Sequence, residues 1–224
     1  MMNLPAKLHL SAQELELLNN KEWILTRHTI TRKVYDMFGS VNEELKAEAE
    51  PYKYLFPENI QCENGKISKG ENYQLLPYVI LDYPSFFHKD RIFAIRTMFW
   101  WGNFFSVTLH LSGVHKQTFT NDPVTVFPFL QKHAFSICVN EDEWQHHFRN
   151  DNYKSASDIS LSQFTKIAGK QFLKISKNIP VAEWDHAPQF IINTFREIMQ
   201  FLAISYPGGK KDLLPGSPTA GSDL

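Results

Sequence analysis

The sequence has few of the features that mark export, membrane insertion or covalent cross-linking. Only two cysteines, Cys62 and Cys138, occur in 224 residues, which is neither a disulfide framework nor a CxxC metal-binding pattern. The first ten residues lack the basic start and apolar run of a secretory signal peptide. No apolar run approaches the roughly 18 residues of a spanning helix. These absences predict a cytoplasmic protein with two reduced thiols and no membrane partner.

An excess of charge of one sign is also missing. Lys and Arg total 23 against 24 for Asp and Glu, so the formal net charge is −1. There is therefore no overall field to attract phosphate backbones, and nothing indicates a nucleic-acid partner. The sequence also lacks a GxGxxG fingerprint, a phosphate-binding Gly-Lys-Ser/Thr loop and a Gly-x-Ser nucleophile elbow. We therefore expect no cofactor.

The composition is that of an ordinary folded domain, with 43% hydrophobic and 21% charged residues. A chain of this length can form one sizeable core. We predict a single globular domain over residues 1–206. Residues 207–224 are rich in Gly, Ser and Pro without apolar periodicity, so we predict a disordered C-terminal tail.

Helical patterns occupy both ends of the predicted domain. Ser11 and Glu14 form a capping-box pattern at the start of a first helix. A longer second helix follows, because apolar residues recur at helical spacing from Trp23 to Leu45, and Pro51 ends it. Residues 188–205 form a C-terminal helix that is apolar on most sides and is therefore expected to pack into the core.

The centre of the chain is strand-like and unusually aromatic. Residues 75–83 form a first strong strand, and residues 91–113 form a hairpin whose two-residue turn is Gly102-Asn103. That turn pairs Arg96 with Leu109 and places Arg96 and His110 on opposite faces of the sheet. The fold class that follows is α+β, a central antiparallel sheet of about four to six strands with a Trp-rich hairpin, packed by the N-terminal helices and the C-terminal helix.

Arg96 is the first candidate site residue, because it is predicted in mid-strand on an otherwise apolar face. A buried guanidinium needs a partner, and Asp82 near the end of the preceding strand is the candidate. The pair is either structural, which we favour, or part of an anion-binding site. His110, with Thr108, Ser106 and Thr97 as predicted neighbours, is a possible base or ligand-orienting group.

The segment EDEWQHHF resembles half of a metal site. A short helix over residues 140–148 would place Glu143, His146 and His147 on one side at helical spacing. A di-metal or zinc-protease site would need a second motif that the sequence lacks. We therefore favour a surface helix without a metal, and binding of a metal stays open.

Three further residues are candidates for ligand binding. Lys69 and Tyr73 lie in the polar segment 67–73, which we interpret as a surface turn or a ligand-binding loop before the first strand. Trp101 belongs to an aromatic hairpin tip, and such a tip needs a cover from the protein's own helices or from a second subunit. A homodimer is therefore possible.

Two functional hypotheses remain after these arguments. The first is a non-enzymatic ligand- or protein-binding domain with a small-molecule or protein partner, since no acid, base and nucleophile converge. The alternative is a small cofactor-free hydrolase or transferase, in which Arg96 binds an anionic group and His110 and Asp82 act as acid/base residues. The alternative requires those three residues to open onto one cavity.

Overall fold

A seven-stranded antiparallel sheet forms the centre of the structure, a computed structural model that describes residues 5–120 and 122–206. The strands are β1 (Lys66–Tyr73), β2 (Leu76–His88), β3 (Arg91–Trp100), β4 (Phe104–Ser112), β5 (Ser136–Cys138), β6 (Tyr153–Ser155) and β7 (Phe172–Pro180). Their order in the sheet is β1-β2-β3-β4-β7-β5-β6. The last long strand in the chain, β7, therefore lies in the middle of the sheet beside β4.

Six α-helices accompany the sheet in the described residues. They are α1 (Ala12–Asn19), α2 (Lys21–Ala49), α3 (Gly113–Phe119), α4 (Pro123–Lys132), α5 (Leu161–Ala168) and α6 (Ala187–Ser205). Short 3₁₀ helices are Ala6–Leu8, Glu50–Leu55, Ala156–Asp158 and Val181–His186. None of these helices is long and apolar enough to cross a membrane.

One face of the sheet packs against α2 and α6 and forms the hydrophobic core. The strand residues on this face are buried aromatic and aliphatic side chains: Val79, Leu81, Phe93, Ile95, Phe99, Phe105, Val107, Leu109, Leu111, Leu173 and Ile175. Helix α2 contributes Val34, Phe38, Val41 and Leu45, which repeat at spacings of three and four. The predicted α+β class, with its central antiparallel sheet and flanking helices, is confirmed.

The hairpin β3–β4 differs from its prediction by one residue. Its loop contains three residues, Trp101 to Asn103, with Gly102 in the left-handed region at φ 69°. The strands therefore pair Trp100 with Phe104 and Arg96 with Thr108, and the predicted pairing of Arg96 with Leu109 is wrong. Because side chains alternate along a strand, this shift of one residue places Arg96 and His110 on the same face of the sheet, whereas the prediction placed them on opposite faces.

The segment 67–73, which we interpreted as a turn or loop, is strand β1 at the edge of the sheet. It pairs with β2 from Lys66 opposite Asp82 to Tyr73 opposite Leu76, with an irregularity after Gly70. Gly70 lies directly against the ring of Tyr78, where a Cβ atom would overlap the phenol. Gly70, which suggested a turn, is therefore required because the Tyr78 ring packs directly on the backbone at this position.

Candidate functional site

The other face of the same strands carries the polar residues. Asp82, Arg96, Thr108 and Ser176 lie side by side in one row across β2, β3, β4 and β7. Ala94, His110 and Lys174 form the neighbouring row on β3, β4 and β7. We call the six polar residues of these two rows the polar face. They lie together because β3 and β4 pair through a three-residue loop, so Arg96 and His110 share one side of the sheet.

Arg96 and Asp82 form the ion pair that the sequence suggested. Arg96 Nε donates to Asp82 Oδ1 at 2.7 Å, and Nη2 donates to Oδ2 at 2.9 Å. The Arg96 side chain is 17% exposed and that of Asp82 is 8% exposed. The guanidinium also lies over the ring of Phe87, 5.4 Å from its centroid. Within the described residues, Nη1 has no protein acceptor, so part of the guanidinium fork remains available.

Residues 139–152, which connect β5 to β6, lie over the polar face, and we call them the covering loop. Lys174 fixes the loop from below, because Nζ donates to the carbonyl oxygens of Glu143 at 2.8 Å and Gln145 at 2.6 Å. From the side, the Tyr73 hydroxyl accepts hydrogen bonds from the backbone N–H groups of His146 and His147 at 2.7 and 3.1 Å. Polar side chains from two strands, β7 and β1, therefore hold this loop.

The covering loop is not the helix predicted over residues 140–148, and that prediction is wrong. Asn140 Oδ1 accepts from the backbone N–H of Asp142, and Asp142 Oδ1 accepts from that of Trp144. Such local side-chain bonds compete with a helix for the backbone donors. In addition, Lys174 donates hydrogen bonds to the carbonyl groups of Glu143 and Gln145, which would accept from backbone N–H groups in a helix.

The loop conformation separates the three residues of the possible metal site. Glu143 turns inward to His110, the His146 ring packs on the ring of Tyr73, and His147 lies 3.9 Å from Asp151. Within residues 5–120 and 122–206, no group of three His, Cys, Asp or Glu side chains is placed to hold a metal ion. The segment therefore contributes the carboxylate of Glu143 to the polar face and does not form a set of metal ligands.

His110 and Glu143 form a buried histidine–carboxylate pair. His110 Nε2 lies 2.9 Å from Glu143 Oε2, and the His110 side chain is 7% exposed. Burial lowers the pKa of His110, while the bond to Glu143 partly opposes that shift. The hydrogen bond from His110 lowers the pKa of Glu143. An ionised carboxylate only accepts, so it fixes the proton of the neutral ring on Nε2 and leaves a lone pair on Nδ1.

Lys174 is the second strongly perturbed group of the polar face. Burial lowers its pKa from 10.5 to about 8, and the charge of Arg96 acts in the same direction. Burial and the charge of Lys174 together hold the pKa of His146 well below its usual value. Ionisable groups with shifted pKa values are more frequent at functional sites than elsewhere in proteins.

Two cavities adjoin Arg96. An open cleft of about 630 Å³ has polar lining from Lys66, Asp82, Arg96, Asn59 and Gln61 and aromatic lining from Phe86, Phe87 and Trp144. A void of about 10 Å³, enough for one water, lies between Arg96, Thr108, His110, His146 and Lys174. Arg96 and Phe87 line both cavities, whereas Asp82 lines the cleft and His110 lines the void. The three residues of the enzymatic hypothesis therefore do not line one cavity.

The remaining predicted site residues lie at different distances from this centre. Tyr73 supports the covering loop, and its ring packs on Trp100 at 5.0 Å. Lys69 pairs with Val79, so it belongs to the other side of the sheet. Trp101 packs on Phe99 and the main core. The structure therefore brings Arg96, Asp82, His110 and Tyr73 together and leaves Lys69 and Trp101 apart.

Sequence reasoning missed Lys174, Lys66, Trp144 and the inward position of Glu143. A signal for Lys174 was present, since Lys174 and Ser176 alternate with Leu173 and Ile175 in a strand pattern. A lysine in a central strand needs acceptors, as an arginine does. The acceptors themselves are backbone carbonyls of a distant loop, which leave no pattern in the sequence.

No protein-family model, curated protein or solved structure matches this chain.

Proposed function

We propose that the protein binds a small organic anion with an aromatic or planar part in the cleft beside Arg96. The observation that carries the proposal is a guanidinium at the cleft surface with only two of its three nitrogens engaged by Asp82. Arginine presents a planar fork suited to carboxylates and phosphates. Its remaining donors are available to an oxygen of a ligand.

The cleft has the size and composition of a small-molecule site. Its volume of about 630 Å³ falls in the range of roughly 300–1,000 Å³ typical of ligand pockets. Lys66 and Arg96 outnumber the single carboxylate of Asp82, so the lining favours an anion. Phe86, Phe87 and Trp144 offer aromatic surface for the rest of the ligand.

A thermal-shift series tests this proposal with four defined probes. Benzoate and phenyl phosphate combine a ring with an anion, inorganic phosphate lacks the ring, and benzylamine has the ring with a positive charge. At 100 times Kd, a bound anion stabilises by about 2.7 kcal/mol, or roughly 5–10 °C for a chain of this length. We expect shifts for the aromatic anions and none for benzylamine.

A matched pair of variants locates the binding. Phe87 is 43% exposed on the cleft and Tyr54 is 47% exposed elsewhere. Phe87→Ala should reduce the anion-induced shift, whereas Tyr54→Ala should leave it unchanged. Equal shifts in both variants, or no shift with any anion, would contradict the proposal.

A second candidate function rests on the His110–Glu143 pair. A neutral histidine oriented by a carboxylate is the arrangement of a general base, and it lies on the same face as Arg96. We propose a hydrolase or transferase as this alternative, with Arg96 binding the anionic group. Asp82 is paired with Arg96 and does not line the void beside His110, so in this alternative Glu143, which contacts His110, takes the part first given to Asp82. Turnover of p-nitrophenyl phosphate or p-nitrophenyl acetate that His110→Gln abolishes would favour the enzyme over the binding protein.

A further inference from the structure

The N-terminal end of the described chain forms an arm that is exposed along its whole length. Every residue from 5 to 26 is exposed, and α1 contains no buried residue. The last contact of α2 with the sheet before this arm is an ion pair between Arg27 and Glu71 of β1. We call residues 6–26 the arm.

The arm is strongly apolar for an exposed segment. It carries eight of the seventeen large hydrophobic residues that are exposed in the described chain: Leu8, Leu10, Leu15, Leu17, Leu18, Trp23, Ile24 and Leu25. Their exposed fractions range from 41% to 65%. A cluster of exposed apolar side chains of this size marks an interaction surface.

The apolar stripe of α2 continues from the core toward the arm and resumes at Trp23 beyond Thr26 and Arg27. Leu45, Val41, Phe38 and Val34 pack on the sheet, and the same helical spacing continues to Ile30 and Trp23. The stripe becomes exposed only because the sheet ends beneath it. A helix surface with this pattern is one that packs against another helix or sheet.

The same chain cannot cover this stripe with α1. A single residue, Asn20, joins α1 to α2, whereas an antiparallel helix pair needs a loop of about two to five residues. Helix α1 has eight residues, and a helix of that length is marginal in water without packing. The capping box of Ser11 and Glu14 therefore starts a helix whose stability requires a partner.

The charges of the arm are complementary to a second copy of itself. Helix α1 carries Glu14 and Glu16 and no basic residue. The first half of α2, residues 21–33, carries the single acid Glu22 and four basic residues, Lys21, Arg27, Arg32 and Lys33. Of these four, Arg27 is already paired with Glu71 of its own chain. In a two-fold dimer, α1 of one copy can pack on α2 of the other, and the reverse contact is identical. Both contacts then join apolar surfaces with opposite flanking charges.

We propose that the protein is a homodimer in which two copies exchange their N-terminal arms, with α1 of each copy packed on the first half of α2 of its partner. This interface is separate from the cleft and does not depend on the proposed ligand. Sedimentation of the full chain over a concentration series should give twice the monomer mass of 26.0 kDa. A monomer throughout would overturn the proposal.

A pair of substitutions tests the surface. Leu18→Lys with Leu25→Glu places a positive charge against basic α2 and a negative charge against acidic α1, and should raise the dimer Kd about 100-fold or more. Leu75→Lys is the control, because Leu75 is 86% exposed in the turn between β1 and β2. The control should remain dimeric. A dimer that persists in the arm variant would show that another surface is used and would overturn the proposal.

A charge exchange keeps the test decisive if the first variant folds poorly. One variant carries Glu14→Gln with Glu16→Lys, which retains the capping box, and the other carries Lys21→Glu with Arg32→Glu. Each should dimerise more weakly than wild type, and their mixture should form heterodimers in excess of the statistical ratio. Random mixing would contradict the pairing of α1 with α2. Loss of the dimer on truncation after Tyr206 would assign the contact to residues 207–224 instead and would also overturn it.

Discussion

The two faces of the sheet are built from the same strands and differ in almost every other respect. On one face, β3 and β4 contribute Phe93, Ile95, Phe105 and Leu109, which belong to the main hydrophobic core and are at most 1% exposed. On the other face, the same strands carry Arg96, Thr108 and His110, followed toward the hairpin loop by a small apolar cluster that includes Met98, Trp100 and Phe104. Stability alone would favour apolar residues on both covered faces, since a buried charge costs free energy even when it is paired.

Under the proposed function, ligand binding accounts for the buried charges of the polar face. Its charges are satisfied by individual partners: Asp82 for Arg96, Glu143 for His110 and two backbone carbonyls for Lys174. Each pair orients one group beside a cavity. Apolar burial on the core face stabilises the fold, and this stabilisation offsets the cost of holding the charged groups of the polar face in place.

The largest expected effect lies on the core face. Phe105 is fully buried and packs on Phe99 of the neighbouring strand and on Trp184. Phe105→Ala should lower the free energy of unfolding by about 3–5 kcal/mol, because it removes apolar contacts and leaves a cavity. Denaturant unfolding measures this loss. Phe87→Ala, at an exposed wall of the cleft, should lower the free energy of unfolding by less than about 1 kcal/mol. Equal losses in the two variants would contradict the distinction between the faces.

The next effect concerns the pH dependence of stability and comes from Lys174. Its pKa is about 8 in the folded protein and 10.5 in the reference state. Between these values the unfolded chain binds the proton that the folded chain has released, so stability rises with pH over this window. The rise amounts to about 3 kcal/mol.

A lysine variant isolates this contribution. Lys174→Met should remove the rise in stability between pH 8 and pH 10.5, as followed by urea unfolding at several pH values. Lys154→Met serves as the control, because Lys154 is exposed on β6 and should leave the profile unchanged. A wild-type profile retained in Lys174→Met would show that the lysine is not a buried cation.

The smallest effect is expected at the two thiols. Both cysteines are free thiols. Cys138 is buried and its thiol donates a hydrogen bond to Asn152, whereas Cys62 is half-buried. Burial raises the pKa of the Cys138 thiol, and a thiol reacts as its thiolate. Iodoacetamide should therefore modify Cys62 first, as mass spectrometry of the folded protein would report. Reductant should change neither stability nor mobility on a non-reducing gel, and faster alkylation of Cys138 would contradict its position.

Much of the fold could be predicted because its signals are local. The helix predicted over 188–205 differs by one residue from α6 (Ala187–Ser205), and the stripe from Trp23 to Leu45 lies within α2. These patterns repeat every three or four residues and need no knowledge of distant contacts. The edge strand β1 was missed because its glycine is required by the packing of Tyr78, which the local sequence does not reveal.

The site was harder to predict because it depends on register and on a loop. Asp82 was identified as the partner of Arg96 from charge alone, and the ion pair is present. The placement of His110 on the opposite face followed from a two-residue turn, and the additional loop residue, Trp101, reversed it. The covering loop takes its conformation from Lys174 and Tyr73, which lie far away in sequence.

The predicted tail lies outside the described residues, and its disorder stays a prediction. Truncation after Tyr206 should leave the melting temperature of the domain unchanged if residues 207–224 bury no apolar surface. A drop of several degrees would show that they pack on the domain.

The most direct test of the account compares Arg96→Met alone with Arg96→Met combined with Asp82→Leu. The single variant leaves a buried carboxylate unpaired, so it should lose about 3–5 kcal/mol, and the double variant should recover most of that loss. If the pair also serves binding, the double variant should unfold near the wild-type midpoint yet show no thermal shift with benzoate or phenyl phosphate. A double variant that retains the anion-induced shift would contradict the assignment of Arg96 to ligand binding, and a single variant as stable as wild type would contradict its role in the fold.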